Sequence, residues 1–113
     1  MTVKLGEVVR LALDEHQWDE VKKCYRDDFM YLRELEMFNL DDWIQAQKDD
    51  FASGKCTSTN RKTIHEDDRS CTWSHDVTYL EDYRGHKAGT VFHIRVVALK
   101  KDGLIYRIMI SYD

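Results

Sequence analysis

The stretch that decides the fold is Thr90-Val91-Phe92-His93-Ile94-Arg95-Val96-Val97-Ala98-Leu99-Lys100-Lys101-Asp102-Gly103-Leu104-Ile105-Tyr106-Arg107-Ile108-Met109-Ile110-Ser111-Tyr112-Asp113. Two runs rich in β-branched and aromatic residues flank Asp102-Gly103, a dipeptide suited to the tight hairpin turn whose central residues take positive φ. Both runs are apolar on both faces, more than one covering layer of helices explains. With Asp102-Gly103 as a two-residue turn, Lys101 pairs with Leu104 and paired numbers sum to 205. Ala98 then faces Arg107, Val96 faces Met109 and Ile94 faces Ser111. The other face carries His93 with Tyr112, Arg95 with Ile110 and Val97 with Ile108.

Moving toward the N-terminus, residues 70–83 alternate, with Cys71, Trp73, His75, Val77 and Tyr79 on one face and Thr72, Ser74, Asp76 and Thr78 on the other. Such a period of two marks a strand. Arg84-Gly85-His86-Lys87-Ala88-Gly89 is the loop that follows. Pairing Tyr83 with Thr90 brings His75 beside Ala98, Val77 beside Val96 and Tyr79 beside Ile94. Residues 55–65 form a threonine-rich strand, and Glu66-Asp67-Asp68-Arg69 a turn. Four strands thus run as a meander from Lys55 to Asp113.

The first half has helical spacing. Leu5, Val8, Val9, Ala12 and Leu13 define one apolar helix face over residues 4–15. After a break at Glu15-His16-Gln17, a second helical pattern runs through Trp18, Val21, Cys24, Tyr25, Asp28 and Phe29, with Asp19 and Glu20 at its positive end. Phe29-Met30-Tyr31-Leu32 and the run to Phe38 read as short strands. Asn39, with Asp42 three residues on, is a helix N-cap for Leu40, Trp43, Ile44, Gln47 and Phe51, and Gly54 is the expected left-handed end. Helices gathered before an antiparallel sheet give an α+β class in one domain, residues 1–113.

Composition narrows the function classes. The 113 residues contain no proline, with 42% hydrophobic and 34% charged side chains, which excludes disordered and proline-rich classes. Net charge is −4 with no basic stripe, so nucleic acid is not an expected partner. No run of eighteen apolar residues occurs, so no membrane span is expected. Cys24, Cys56 and Cys71 are widely spaced and odd in number, which reads as free thiols in a reducing cytoplasm. Met1-Thr2-Val3-Lys4 lacks the features of a signal peptide. No CxxC, HExxH, phosphate loop or nucleophile elbow appears, and neither a metal nor another cofactor is expected.

Candidate site residues come from the face shared by Trp73, His75, Val77, Tyr79, Val96, Ala98, Arg107 and Met109, an apolar-aromatic surface with a few polar groups, as a ligand pocket requires. Trp73, Val77, Val96 and Met109 are the candidate ligand contacts. His75 is a candidate acid or base, Arg107 a candidate oxyanion or carboxylate clamp, and Tyr79 their companion. The structural alternatives are a half-buried strand histidine and an arginine paired with Asp76 or Glu81. His93, Arg95 and Tyr112 form a second polar group that suits either an interface or a pocket. Trp18, Tyr25 and Trp43 read as core. His65-Glu66-Asp67 reads as a solvated turn. Cys71 and His75, four apart on a strand, stand about 13 Å from each other, too far for a thiolate pair.

The chain resembles the NTF2-like superfamily, including SnoaL-like and ketosteroid-isomerase-like domains. The resemblance rests on His16-Gln17-Trp18-Asp19, on Tyr25-Arg26-Asp27-Asp28-Phe29-Met30-Tyr31 and on the Val97–Ile105 hairpin, in this order and at this length. It implies a cone-shaped, cystatin-like fold: three N-terminal helices packed on a curved antiparallel sheet, with an apolar pocket at the wide end. It also implies dimers formed through the outer sheet face. Isomerase chemistry in that family needs a carboxylate base, a tyrosine and a protonated aspartic acid. The matching positions here are Arg33, Val9 and Val96, or Arg95 on a one-residue slip, and Glu34 replaces the proline beside the base. The expectation is therefore an NTF2-like module without ketosteroid isomerase activity, a homodimer that binds a small apolar ligand or a protein partner in or around its cone. The alternative is a small lyase, cyclase or isomerase using His75, Arg107 and Tyr79.

Overall fold

The computed structural model describes residues 2–33 and 35–112. Glu34, at the position of the family's proline, and Asp113, the end of the predicted hairpin, lie outside the described residues. The elements are α1 (Leu5–Val9, continued by a π-helical turn, Arg10–Asp14), α2 (Trp18–Lys22), β1 (Tyr25–Arg33), β2 (Glu36–Phe38), α3 (Leu40–Gln47, continued by a π-helical turn, Lys48–Ala52), β3 (Cys56–Glu66), β4 (Ser70–Tyr79), β5 (Val91–Lys101) and β6 (Leu104–Tyr112). The class is α+β, with one six-stranded curved sheet in the order β2-β1-β6-β5-β4-β3.

The meander is antiparallel, but β1 runs parallel to β6, so the sheet is mixed rather than wholly antiparallel. The second helical pattern ends at Lys22, and the chain is extended from Tyr25. The reason is tertiary. The Ile105 N–H donates to the Cys24 carbonyl at 3.0 Å, and Tyr25, Phe29 and Tyr31 are buried together. Asn39 caps α3 as expected, its Oδ1 accepting from the Asp42 N–H at 2.9 Å, and Gly54 has φ +83°.

Asp102 and Gly103 both take positive φ, and Lys101 pairs with Leu104. The predicted register then fails after two pairs. Lys100 faces Ile105, but Leu99 faces Arg107, so Tyr106 is an extra residue in a bulge. Beyond it Ala98 pairs with Ile108, Val96 with Ile110 and Ile94 with Tyr112. Because strand side chains alternate, one extra residue moves every later side chain of β6 to the other face. Arg107 and Met109 therefore leave the concave face and Ile108, Ile110 and Tyr112 occupy it. Arg107 Nη1 donates to the carbonyls of Tyr106 (2.6 Å) and Asp28 (2.8 Å), bracing the bulge against β1. It pairs with neither Asp76 nor Glu81.

The predicted β4–β5 register is also displaced. Trp73 pairs with Val96, His75 with Ile94 and Val77 with Phe92. Each partner is four residues from the predicted one. An even slip keeps the faces, so Trp73, His75 and Val77 remain on the concave side.

The core fills the concave side: Leu5, Val8 and Ala12 of α1 and its extension, Leu40 and Ile44 of α3, and Trp73, Val96, Ala98, Ile105 and Ile108 of the sheet. At one end Lys100, with its side chain 1% exposed, donates to Glu66 Oε2 at 2.9 Å and to the Asp67 carbonyl at 3.0 Å. The same Glu66 oxygen accepts the Leu5 N–H at 2.9 Å, so one carboxylate fastens the start of α1 to β3 and β5. Burial would raise the Glu66 carboxyl, but Lys100 and the Leu5 N–H outweigh it and hold it below the ordinary range.

Removing one member of a buried pair strands the other charge. Lys100→Met is expected to lower unfolding free energy by about 3 kcal/mol, against about 1 kcal/mol for Asn39→Ala at the helix cap, both read from urea midpoints. Glu66 is depressed in the folded state, so its contribution is complete above about pH 4.3 and drains as pH falls below that. Lys100→Met should flatten this part of the stability profile.

Candidate functional site

The sheet curves around α1 and α3 to enclose a cavity of about 380 Å³, within the range of small-molecule sites. Its wall is mostly apolar: Leu5, Val8, Val9 and Leu13 from α1 and its extension, Trp43 and Phe51 from α3 and its extension, and Trp73, Val77, Phe92, Ile94, Val96, Ile108 and Ile110 from the sheet. Tyr31 stacks on Trp43 at 4.5 Å between ring centroids, and the Trp43 indole N–H donates to the Tyr25 hydroxyl at 3.2 Å.

Of the predicted site residues, Trp73, His75, Val77, Tyr79 and Val96 line this cavity, and Arg107 and Met109 do not. His75 and Tyr79 share the wall but stand four residues apart on one strand, about 13 Å. The trio proposed for a lyase or cyclase does not converge. Tyr79 instead packs with Tyr83, His86 and Phe92.

His75 is a buried polar residue of the wall, 8% exposed. Its Nδ1 lies 2.6 Å from Ser58 Oγ, and its ring packs on Trp73 at 4.7 Å. Burial, helped by the nearby Arg61 cation, pushes its pKa down to about 4, so the imidazole is neutral at physiological pH. Arg61 donates from Nε to Ser58 Oγ at 3.0 Å and binds Asp14 with both terminal nitrogens, at 2.7 and 2.8 Å. Ser58, Arg61 and Asp14 were not legible as a group. A side chain three residues along a regular strand faces the other way, and only a bulge at Asn60, φ +53°, turns Ser58 and Arg61 to the same side.

Two charged clusters also line the cavity. Arg33 bonds the Tyr112 hydroxyl and stands 3.9 Å from Glu36. Asp50 accepts from the Tyr83 hydroxyl at 2.9 Å and from Arg84 at 3.2 Å. Tyr112 thus belongs to the cavity, whereas His93 lies on the outer face against Asp76 at 2.7 Å. The positions matched to the isomerase base, tyrosine and acid, Arg33, Val9 and Val96, do line the cavity, and none is a carboxylate. The lining carboxylates among the described residues, Glu36 and Asp50, each stand beside an arginine.

Burial pushes the Cys71 thiol up to about 12, so it holds its proton and offers no nucleophile. Among the described residues no group of three His, Cys, Asp or Glu side chains could hold a metal. No helix among them is long and apolar enough to cross a membrane.

The fold is that of NTF2-like proteins. Solved structures with it include a candidate polyketide cyclase of a Silicibacter species (TM-score 0.74, 16% identity, 96% of this chain and 85% of that one). An NTF2-like protein of unknown function from Cytophaga hutchinsonii matches at TM-score 0.69 and 12% identity, over 100% of this chain and 93% of that one. A candidate ketosteroid isomerase of Kribbella flavida matches at TM-score 0.70 and 16% identity, over 96% and 75%. No protein-family model and no curated protein matches the sequence. At such identities the likeness carries the fold, and one fold hosts many chemistries.

The imidazole gives a direct test. In a pH titration followed by NMR, His75 should titrate near pH 4. Between about 6.5 and that value the unfolded chain binds a proton that the folded chain refuses, so stability falls as pH falls through this window. His75→Phe should remove that slope.

Proposed function

We propose that the protein binds a small, ring-sized apolar molecule inside its cone and does not carry out ketosteroid isomerisation. The observation that carries this reading is the wall itself: a partly open cavity of about 380 Å³, lined largely by aromatic and aliphatic side chains, into which the buried residue His75 brings a neutral imidazole. Proton abstraction beside a carbonyl would require a carboxylate base within reach of the substrate. Among the described residues, the carboxylates that line the cavity are already engaged by cations, Glu36 by Arg33 and Asp50 by Arg84. His75, with a pKa of about 4, is a poor base at neutral pH but a competent hydrogen-bond donor. Trp73, Val77 and Val96 supply apolar contact; Met109 and Arg107 belong to the outer face.

The same outer face supports a homodimer. Across it, Leu32 lies beside Met109 and Met109 beside Val97, with Leu99 one row away, all of them half-buried in the single chain. A second copy would remove this apolar patch from water, the usual fate of such patches.

Isothermal titration with 1-naphthol tests the cone. Binding should weaken at least tenfold in Val96→Arg, which fills the cavity with charge, and stay unchanged in Met109→Arg. Equal affinity in Val96→Arg and the natural chain would remove the cone as the binding site. Light scattering should give twice the chain mass for the natural protein and the single-chain mass for Met109→Arg. A natural chain that scatters as a monomer refutes the dimer.

A further inference from the structure

His75 reaches the cavity at the end of a hydrogen-bonded chain that begins outside it. Asp14 receives two bonds from Arg61, and Arg61 Nε donates to Ser58 Oγ. Ser58 Oγ then lies 2.6 Å from His75 Nδ1. A serine hydroxyl has one proton to give. Arg61 can only donate, so it occupies a lone pair of Ser58 and polarises the hydroxyl as a donor. The acceptor in place for that proton is His75 Nδ1. If Nδ1 carried the proton instead, Ser58 would receive two donors and its own hydrogen would lack a partner among the bonds of the structure.

The neutral imidazole must then hold its proton on Nε2. Among the described residues the sealed side-chain polar atoms without a partner are Arg33 Nε and Gln47 Oε1, so His75 Nε2 is not one of them. An imidazole nitrogen that neither bonds protein nor is sealed within it, on a residue lining the cavity, opens to the cavity. The chain exists because of backbone geometry: the left-handed Asn60 inserts the extra residue that puts Arg61 and Ser58 on one side, and its side chain is fixed by donating to Asp76 at 2.7 Å.

We propose that the Asp14–Arg61–Ser58 chain locks His75 as the Nε2-protonated tautomer, so that the cone selects ring-sized apolar molecules presenting a carbonyl oxygen. His75 is the specificity-determining donor, and Ser58 and Arg61 are positioning residues that act through it. The ligand class rests on the cone-binding reading above; the tautomer does not.

Long-range nitrogen–proton NMR correlations of the ring report the tautomer directly, and the natural protein should show the proton on Nε2. Calorimetric titrations with acetophenone and ethylbenzene, alike in shape and differing by the carbonyl, report the selection. The ratio of the two affinities should drop about tenfold in Ser58→Ala and in Arg61→Met. Ser58→Thr, which keeps the hydroxyl, should retain both the tautomer and the ratio. A proton on Nδ1 in the natural protein overturns the proposal, as does an affinity ratio unchanged in Ser58→Ala and Arg61→Met. If ethylbenzene and acetophenone bind equally, the ligand class fails while cone binding stands. If neither binds, the cone reading fails and the ligand class with it, and the tautomer spectrum alone decides the chain.

Discussion

Single-residue bulges at Tyr106 and Asn60 govern the site of this molecule through the alternation of strand side chains. Successive residues of a strand point to opposite faces, so one extra residue reverses everything beyond it. The bulge at Tyr106 sends Ile108, Ile110 and Tyr112 into the cavity and Arg107 and Met109 out of it. The bulge at Asn60 turns Arg61 toward Ser58 and Asp14. Bulges also add local bend and twist, and a sheet must bend to enclose a volume around α1 and α3.

The polar groups of the cavity sort by their surroundings. Arg33 with Glu36, and Asp50 with Arg84, are partly exposed ion pairs that engage the lining carboxylates among the described residues. His75 lies deeper, where burial and the Arg61 cation keep it uncharged. A neutral donor in an apolar wall suits a neutral polar oxygen better than an ion, since an unpaired charge would have to be desolvated. At the other end the buried Lys100–Glu66 pair serves the fold, fastening α1 to the sheet that it closes.

Much of the architecture was legible because it rests on local signals. Asp102-Gly103 announced the last hairpin, Asn39 with Asp42 the start of α3, Gly54 its end, and the alternation over residues 70–79 the strand that carries Trp73, His75 and Val77. The second helix ran too long because Tyr25 and Phe29 fit a helical period as well as a strand. The choice was made by pairing with β6, 80 residues away at Ile105. Five of the seven candidate site residues line the cavity because an even slip of β4 on β5 preserves faces. The other two, Arg107 and Met109, were lost to an odd one in β6.

The class, the order of the elements, the hairpin turn and the apolar period of each strand are written in the local sequence. All of these follow from the preferences of a few neighbouring residues. Long-range pairing set the parallel union of β1 with β6, the bulges at Tyr106 and Asn60, the passage of Arg107 to the outer face and the joining of Asp14, Arg61, Ser58 and His75. Each of these depends on how a strand is met by a distant partner. An extra residue in a ladder costs little locally and is fixed by the pairing on either side of it.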